Sequence, residues 1–127
     1  MKPAAFEYHR PSSLDEVLTL LARFGLQAKV LAGGQSLAPM LNMRLAQPAH
    51  LIDLNDLTEW ERVADCGDAL ELGFLTRHRQ LADSPLVQRH CPLVAQVAQT
   101  IGHLPIRQRG TLGGRCPMVC EIGRAHV

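Results

Sequence analysis

Long apolar runs are missing from this sequence, and so is any excess of charge of one sign. No stretch approaches the roughly 20 apolar residues that span a bilayer, and the opening MKPAAFEYHRP lacks the apolar segment of a secretory leader. A cytoplasmic protein without a membrane span is the expectation. Thirteen basic residues against twelve acidic ones leave a formal charge of +1, which gives no footprint for nucleic acid or an anionic membrane. Whatever the chain binds is therefore to be sought in a local site. Disulfide spacing is also absent: Cys66, Cys91, Cys116 and Cys120 are scattered through a chain of ordinary domain length, so free thiols are expected. The Cys116-x3-Cys120 pair has no second pair and no ligand-spaced histidines to make a zinc site. The six histidines form no HExxH or His-x-His pattern, and His78 and His103 are expected to be solvated or supporting residues.

There is no internal repeat and no Pro/Ser-rich linker. What is present, 46% hydrophobic and 20% charged residues in 127, describes one globular domain or part of a larger one. Ser13 and Glu16 form a capping box ahead of Leu14, Val17, Leu18, Leu21 and Phe24, which predicts a helix over 13–24 that stops at Gly25. Lys29-Val30-Leu31-Ala32 reads as a short buried strand. A glycine turn and a short helix from Ser36 toward Arg44 follow, then a strand over 50–54. Beyond Trp60 the pattern becomes a hairpin over 61–74. Thr76 is placed to cap a helix through Leu81, Pro85 to break it, and a longer helix after Pro92 to carry Leu93, Val94, Val97, Ala98 and Ile101 on one face before Gly102. IGHLPIRQRGTLGG reads as a donor-rich loop. The change of texture near residue 56 divides the chain into an α/β subdomain over 1–55 and the start of a second over 56–114.

Two paired-glycine turns carry the chemistry. Gly33-Gly34, followed by the side-chain donors Gln35 and Ser36, can aim several amides at one point, and such a nest at a helix start suits a phosphate or pyrophosphate. Thr111-Leu112-Gly113-Gly114 offers a comparable cradle, and the two could clamp a diphosphate if they face each other. A lone glycine pair equally serves a plain strand-to-helix turn. Neither turn matches GxGxxG or GxxxxGK[ST], which argues against Rossmann-type NAD binding and ATP hydrolysis. Asp15, Glu16, Asp53 and Asp56 are better explained by capping and loop solvation than by acid–base work. Arg107 and Arg109 can balance a diphosphate or be solvated, and Met40 and Met43 are expected in the core.

AGGQSLAPMLNMRLAQPAHLIDL (32–54), LELGFLTRHRQLADSPLV (70–87) and CPLVAQVAQTIGHLPIRQRGTLGG (91–114) together resemble the FAD-binding medium subunit of molybdenum hydroxylases, the group of aerobic carbon monoxide dehydrogenase and xanthine dehydrogenase-like enzymes. The resemblance implies an α/β (α+β) fold of the p-cresol methylhydroxylase and vanillyl-alcohol oxidase type. In that fold two small α/β subdomains hold FAD between them, and the remainder of the fold is missing here. It places the first FAD loop on Ala32, Gly33, Gly34, Gln35 and Ser36, flanked by Lys29 and Leu37. The second falls on Thr111, Leu112, Gly113 and Gly114, with Arg115 where the family has a small polar donor and Ile101 as an apolar contact. It implies an electron-transfer role, with a molybdopterin-binding large subunit and a [2Fe-2S] small subunit as partners and no catalytic acid or base in this chain. A non-redox phosphate- or nucleotide-binding module is the alternative from a different class.

Arg115 to Cys120 depart from the family pattern. Glu121-Ile122-Gly123-Arg124-Ala125-His126-Val127 is what GAG-ATC-GGA-AGA-GCA-CAC-GTC encodes, a string that resembles a short-read sequencing adapter. The expectation is that 115–127 is an artefactual tail ending a fragment of a chain more than twice as long; a divergent natural terminus is the alternative.

Overall fold

The computed structural model describes residues 2–114. The expectations for Arg115, Cys116, Cys120 and the 121–127 tail lie outside the described residues. Helix α1 (Leu14–Phe24) starts as its capping residues predict: Ser13 Oγ accepts from the Glu16 amide at 3.2 Å, and Glu16 Oε2 accepts from the Ser12 amide at 2.9 Å. It ends at Gly25, whose φ of +55° favours glycine.

α1 connects two strands of one parallel sheet. Strands β1 (Glu7–His9) and β2 (Ala28–Leu31) both pair with the central β3 (His50–Asp53), in the order β1-β3-β2. β1 is unannounced by the sequence, because its three residues EYH show no apolar alternation and only their register with His50, Leu51 and Ile52 makes them a strand. β2 is an edge strand, not the buried one expected: Ala28 is buried, whereas Lys29 and Val30 are exposed. A short helix α2 (Leu37–Asn42) joins β2 to β3. It buries Leu41 and leaves Met40 and Met43 about half exposed, correcting their assignment to the core.

The second half opens with the expected hairpin, β4 (Val63–Asp65) against β5 (Leu70–Leu72), closed by the Cys66 amide on the Ala69 carbonyl. Four short helices follow: α3 (His78–Asp83), α4 (Pro85–His90), α5 (Pro92–Thr100) and α6 (Leu104–Arg109). Pro85 ends one helix and begins the next. It sits in the first turn of α4, where a missing N–H costs nothing, behind Ser84, whose hydroxyl accepts from the Val87 amide. Thr76 does not cap α3. Its buried hydroxyl donates to the Arg62 carbonyl instead, at 2.9 Å, and the amide of Arg77 at the helix start is met by Gln80 Oε1 at 2.8 Å.

α5 buries a narrower face than expected. Ala95 and Ala98 are covered, while Leu93 and Val97 stand 70% and 50% exposed. α6 replaces the expected loop, with Pro105 in its first turn and Gly110 just past its end.

Two apolar clusters hold these layers. Val17, Ala28, Ile52, Leu54, Leu57 and Leu75 form the first, with Phe24, Trp60 and Phe74 against it. Leu81, Ala82, Val87, Ala95 and Ala98 form the second, against which β4 and β5 set Val63, Leu70 and Leu72. Burial of the leucines, isoleucine and valines stabilises each by roughly 1.5–3 kcal/mol. Among the described residues no helix is long and apolar enough to cross a membrane.

Candidate functional site

The β2–α2 turn and the segment after α6 meet. Gly33 packs so closely on the Arg109 carbonyl that a Cβ there would overlap the oxygen and stand 3.0 Å from both the carbonyl carbon and Gly110 Cα. Gly34 adopts φ +78°, a conformation that side-chain-bearing residues rarely take. The two glycines therefore have different tasks: Gly33 allows contact between segments and Gly34 allows the chain to turn.

Beside this contact lies a cleft of about 340 Å³. Ala32, Gly33, Gly34, Gln35, Ser36 and Leu37 line one side, and Thr111, Gly113 and Gly114 line the other. Three expected contacts do not line it. Lys29 is exposed on β2, Ile101 is half-buried just after α5, and Leu112 packs against the second apolar cluster. Arg115 lies outside the described residues. The cleft also takes Val30, Leu54, Phe74, His78, Ile106 and Gly110, none of them anticipated as lining. Phe74 has its ring stacked on Trp60 at 5.3 Å. His78, far from solvated, is buried under Gly110, where a Cβ would come 2.7 Å from the imidazole Cδ2; His103 is exposed.

The two turns are unequal as donors. No acceptor among the described residues takes the amides of Gly34, Gln35 or Ser36. In the second turn the amides are engaged: Leu112 with the Thr76 carbonyl at 2.9 Å, Gly113 with the Phe74 carbonyl at 2.7 Å, and Gly114 with Thr111 Oγ1 at 3.1 Å. The symmetrical pair of cradles expected from the glycine spacing is thus corrected. The first turn offers donors, and the second offers shape. Among the described lining residues there is no Lys, Arg, Asp or Glu, so an anion in the cleft would be met by backbone and neutral side-chain dipoles. Arg107 is used elsewhere, donating to the Gln99 and Gly102 carbonyls at the end of α5.

A polar staple holds the two turns together, and it contains residues that sequence reasoning passed over. Asn55 Nδ2 donates to the Ala32 carbonyl at 2.8 Å, and Asn55 Oδ1 accepts from Arg77 Nη2 at 2.8 Å. Arg77 Nη1 donates to the Arg109 carbonyl at 2.6 Å, the same oxygen that abuts Gly33. One guanidinium fork thus spans both sides of the contact, which a lysine cannot do. Arg77→Lys is expected to keep the fold and to weaken ligand binding in the cleft by about tenfold, the equivalent of one lost charge-assisted hydrogen bond. Affinity and thermal midpoint measured on the same variant check this.

Asp53 anchors the staple from behind and is not a loop-solvated carboxylate. It is buried, and accepts from the Tyr8 hydroxyl, from Asn55 Nδ2 at 2.6 Å and from the Asn55 amide at 2.9 Å. Burial pushes its carboxyl up, but the Tyr8 and Asn55 donors outweigh it and hold the group below the ordinary aspartate value of 3.8. A lowered folded-state value contributes stability that is present above pH 3.8 and is lost as pH falls through the folded value. The Tyr8 hydroxyl is raised above 10.0, chiefly by its bond to Asp53, so its share is present below pH 10 and lost above it. Tyr8→Phe is expected to cost about 1 kcal/mol at neutral pH, Tyr8 being half exposed, and to flatten the loss of stability in acid. Urea denaturation at pH 7 and pH 3 reads both effects. Asp56 pairs with Arg10 at 2.6 Å on the surface.

Residues 4–120 match the family described as the FAD binding domain in molybdopterin dehydrogenase. The chain belongs to this family. The match extends six residues past Gly114. The carbon monoxide dehydrogenase medium chain of Hydrogenophaga pseudoflava is 45% identical over 114 residues, covering 90% of this chain and 40% of that one. The caffeine dehydrogenase subunit beta of a Pseudomonas species is 41% identical over 114 residues, covering 90% and 39%. Among solved structures, carbon monoxide dehydrogenase from Hydrogenophaga pseudoflava superposes with a TM-score of 0.89 at 44% identity, over 91% of this chain and 40% of that one. Quinoline 2-oxidoreductase from Pseudomonas putida 86 gives 0.85 at 38% identity, over 90% and 40%. This FAD-domain chain therefore spans about 40% of the length of the curated relatives it matches. Its mixed α/β fold matches the FAD domain of the carbon monoxide dehydrogenase medium chain, and FAD is the cofactor of the family.

Proposed function

We propose that this chain is the FAD-holding part of an electron-transfer subunit in a molybdenum hydroxylase complex. Electrons would pass from [2Fe-2S] clusters through FAD to an external acceptor. The partners in this reading are a molybdopterin-binding large subunit, which oxidises the substrate, and a [2Fe-2S] small subunit. Residues 1–55 and 56–114 act as two subdomains with the cofactor between them.

The observation that carries the reading is the cleft between two glycine turns. One turn holds three amides, on Gly34, Gln35 and Ser36, that no acceptor among the described residues takes, and its Gly33 packs on the Arg109–Gly110 backbone that leads into the other turn. The residues suit FAD on this ground. The amides, with the Gln35 and Ser36 side chains, receive the diphosphate. Val30, Leu37, Phe74 and Ile106 give the cleft apolar walls that exclude water. At about 340 Å³ the cleft is near the lower bound of roughly 300–1,000 Å³ for ligand sites, so it houses part of a dinucleotide. Bound FAD supplies the redox chemistry, and these side chains bind and orient it.

Reconstitution of the full-length subunit with FAD tests the proposal. One flavin per chain with a visible flavoprotein spectrum is the expected result. A colourless protein that binds other phosphate compounds would move the chain to the non-redox nucleotide-binding class.

A further inference from the structure

Parallel register brings two histidines and a glutamate together at the end of the sheet away from the glycine cleft. Glu7 pairs directly with His50, and His9 lies two residues along β1, hence on the same face as Glu7. Glu7 and His50 open their strands, whereas the Gly33 turn follows the last residue of β2, so the cluster and the cleft occupy opposite ends of parallel strands.

His9 Nε2 lies 3.2 Å from His50 Nδ1, and Glu7 Oε2 lies 3.5 Å from the same nitrogen. One ligand atom from each of the three residues lies within 4.8 Å of the others. Nitrogen and oxygen ligands on bonds of about 2.0–2.1 Å at tetrahedral angles are about 3.3–3.4 Å apart. The two measured separations bracket that value.

A hydrogen bond between the two imidazoles places Glu7 Oε2 as a further acceptor beside the same nitrogen, and a cation shared by the three atoms engages all of them at once.

The surroundings support the same assignment. The His50 side chain is 14% exposed, and its ring is stacked on Phe24 at 3.6 Å between centroids, which fixes the imidazole before any ion arrives. Phe24 ends α1, and the negative end of a helix dipole favours a cation. Arg23, over the Phe24 ring at 5.1 Å, is the charge that opposes it. Two imidazoles select a borderline transition metal over magnesium or calcium, which take oxygen ligands.

We propose that Glu7 Oε2, His9 Nε2 and His50 Nδ1 form a binding site for a divalent transition metal of the zinc class. Water completes the coordination on the exposed Glu7 side, and the ion clasps the edge strand β1 onto β3. The site is separate from flavin binding and does not depend on it.

The test is titration of the purified, metal-stripped chain with zinc, and separately with cobalt(II), followed by calorimetry, absorption and thermal melting. One equivalent per chain, a raised thermal midpoint, and a cobalt spectrum of nitrogen and oxygen ligands without thiolate charge transfer are expected. His9→Asn and the exposed Glu7→Gln should each weaken zinc by at least ~10-fold. The cobalt spectrum of the unaltered chain gives a second readout should a variant misfold. Three results would overturn the proposal: no stoichiometric uptake, affinity unchanged in both variants, or a thiolate band that alkylation of the cysteines abolishes.

Discussion

Gly33→Ala is expected to abolish the cleft while leaving the apolar clusters intact. The new methyl group would overlap the Arg109 carbonyl oxygen, and backbone rather than a flexible side chain is what it meets. That carbonyl cannot retreat freely, because Arg77 Nη1 holds it at 2.6 Å and ties it through Asn55 to the Ala32 carbonyl. Relief requires the segment after α6 to move away from the β2–α2 turn. Overpacking of this kind costs about 3 kcal/mol, or about a hundredfold in the dissociation constant for FAD. Gly34→Asn is the informative control. Its defect is backbone conformation, which asparagine tolerates better than most residues, so the loss should be several-fold smaller. Flavin titration of both variants in the full-length subunit, with thermal melting to show that they fold, separates a contact glycine from a turn glycine.

The second large effect falls on stability. Gly73 lies between β5 and α3, where a Cβ would overlap the Trp60 carbonyl oxygen and stand 2.5 Å from its carbon and 3.1 Å from the Arg62 nitrogen. Both strands of backbone are pinned there: the Gly73 amide donates to the Arg62 carbonyl at 2.8 Å, and the Leu75 amide to the Trp60 carbonyl at 3.0 Å. Leu75, Trp60 and Phe74 all pack in or against the first apolar cluster. Gly73→Ala therefore pushes the Trp60 segment away from Phe74 and Leu75 where they pack on that cluster, at about 4 kcal/mol or more, a large part of the roughly 5–15 kcal/mol that holds a domain folded. A chain that loses its cooperative urea transition is the expected outcome. A midpoint indistinguishable from that of the unaltered chain would show that the segment adjusts.

Local chemistry was legible in the sequence. Ser13 and Glu16 announced α1, and the two glycine pairs marked both sides of the cleft, because capping and turning are decided by neighbours within a few residues. Relations across the chain were not. That Gly33 touches Arg109 depends on a contact between residues far apart, and no spacing rule contains it.

Asn55 and Arg77 carry no signal in the sequence, since a polar side chain in a staple and one in water look alike there. On α5, periodicity marked Leu93 and Val97 as buried, but hydrophobicity records what a residue prefers and not which side a neighbour covers. Pro105 did carry a signal for α6. Proline in a first helical turn is favourable, although the segment that holds it reads as a donor-rich loop.

Protection of individual backbone amides on adding FAD tests the central claim most directly, namely that the Gly33 to Ser36 turn receives the cofactor's diphosphate. Amide hydrogen exchange, resolved to single residues in the full-length subunit with and without FAD, should show Gly34, Gln35 and Ser36 strongly slowed. The already bonded amides of Leu112 and Gly113 should change little. Stoichiometric FAD binding that leaves residues 34–36 exchanging at their original rates would contradict the account.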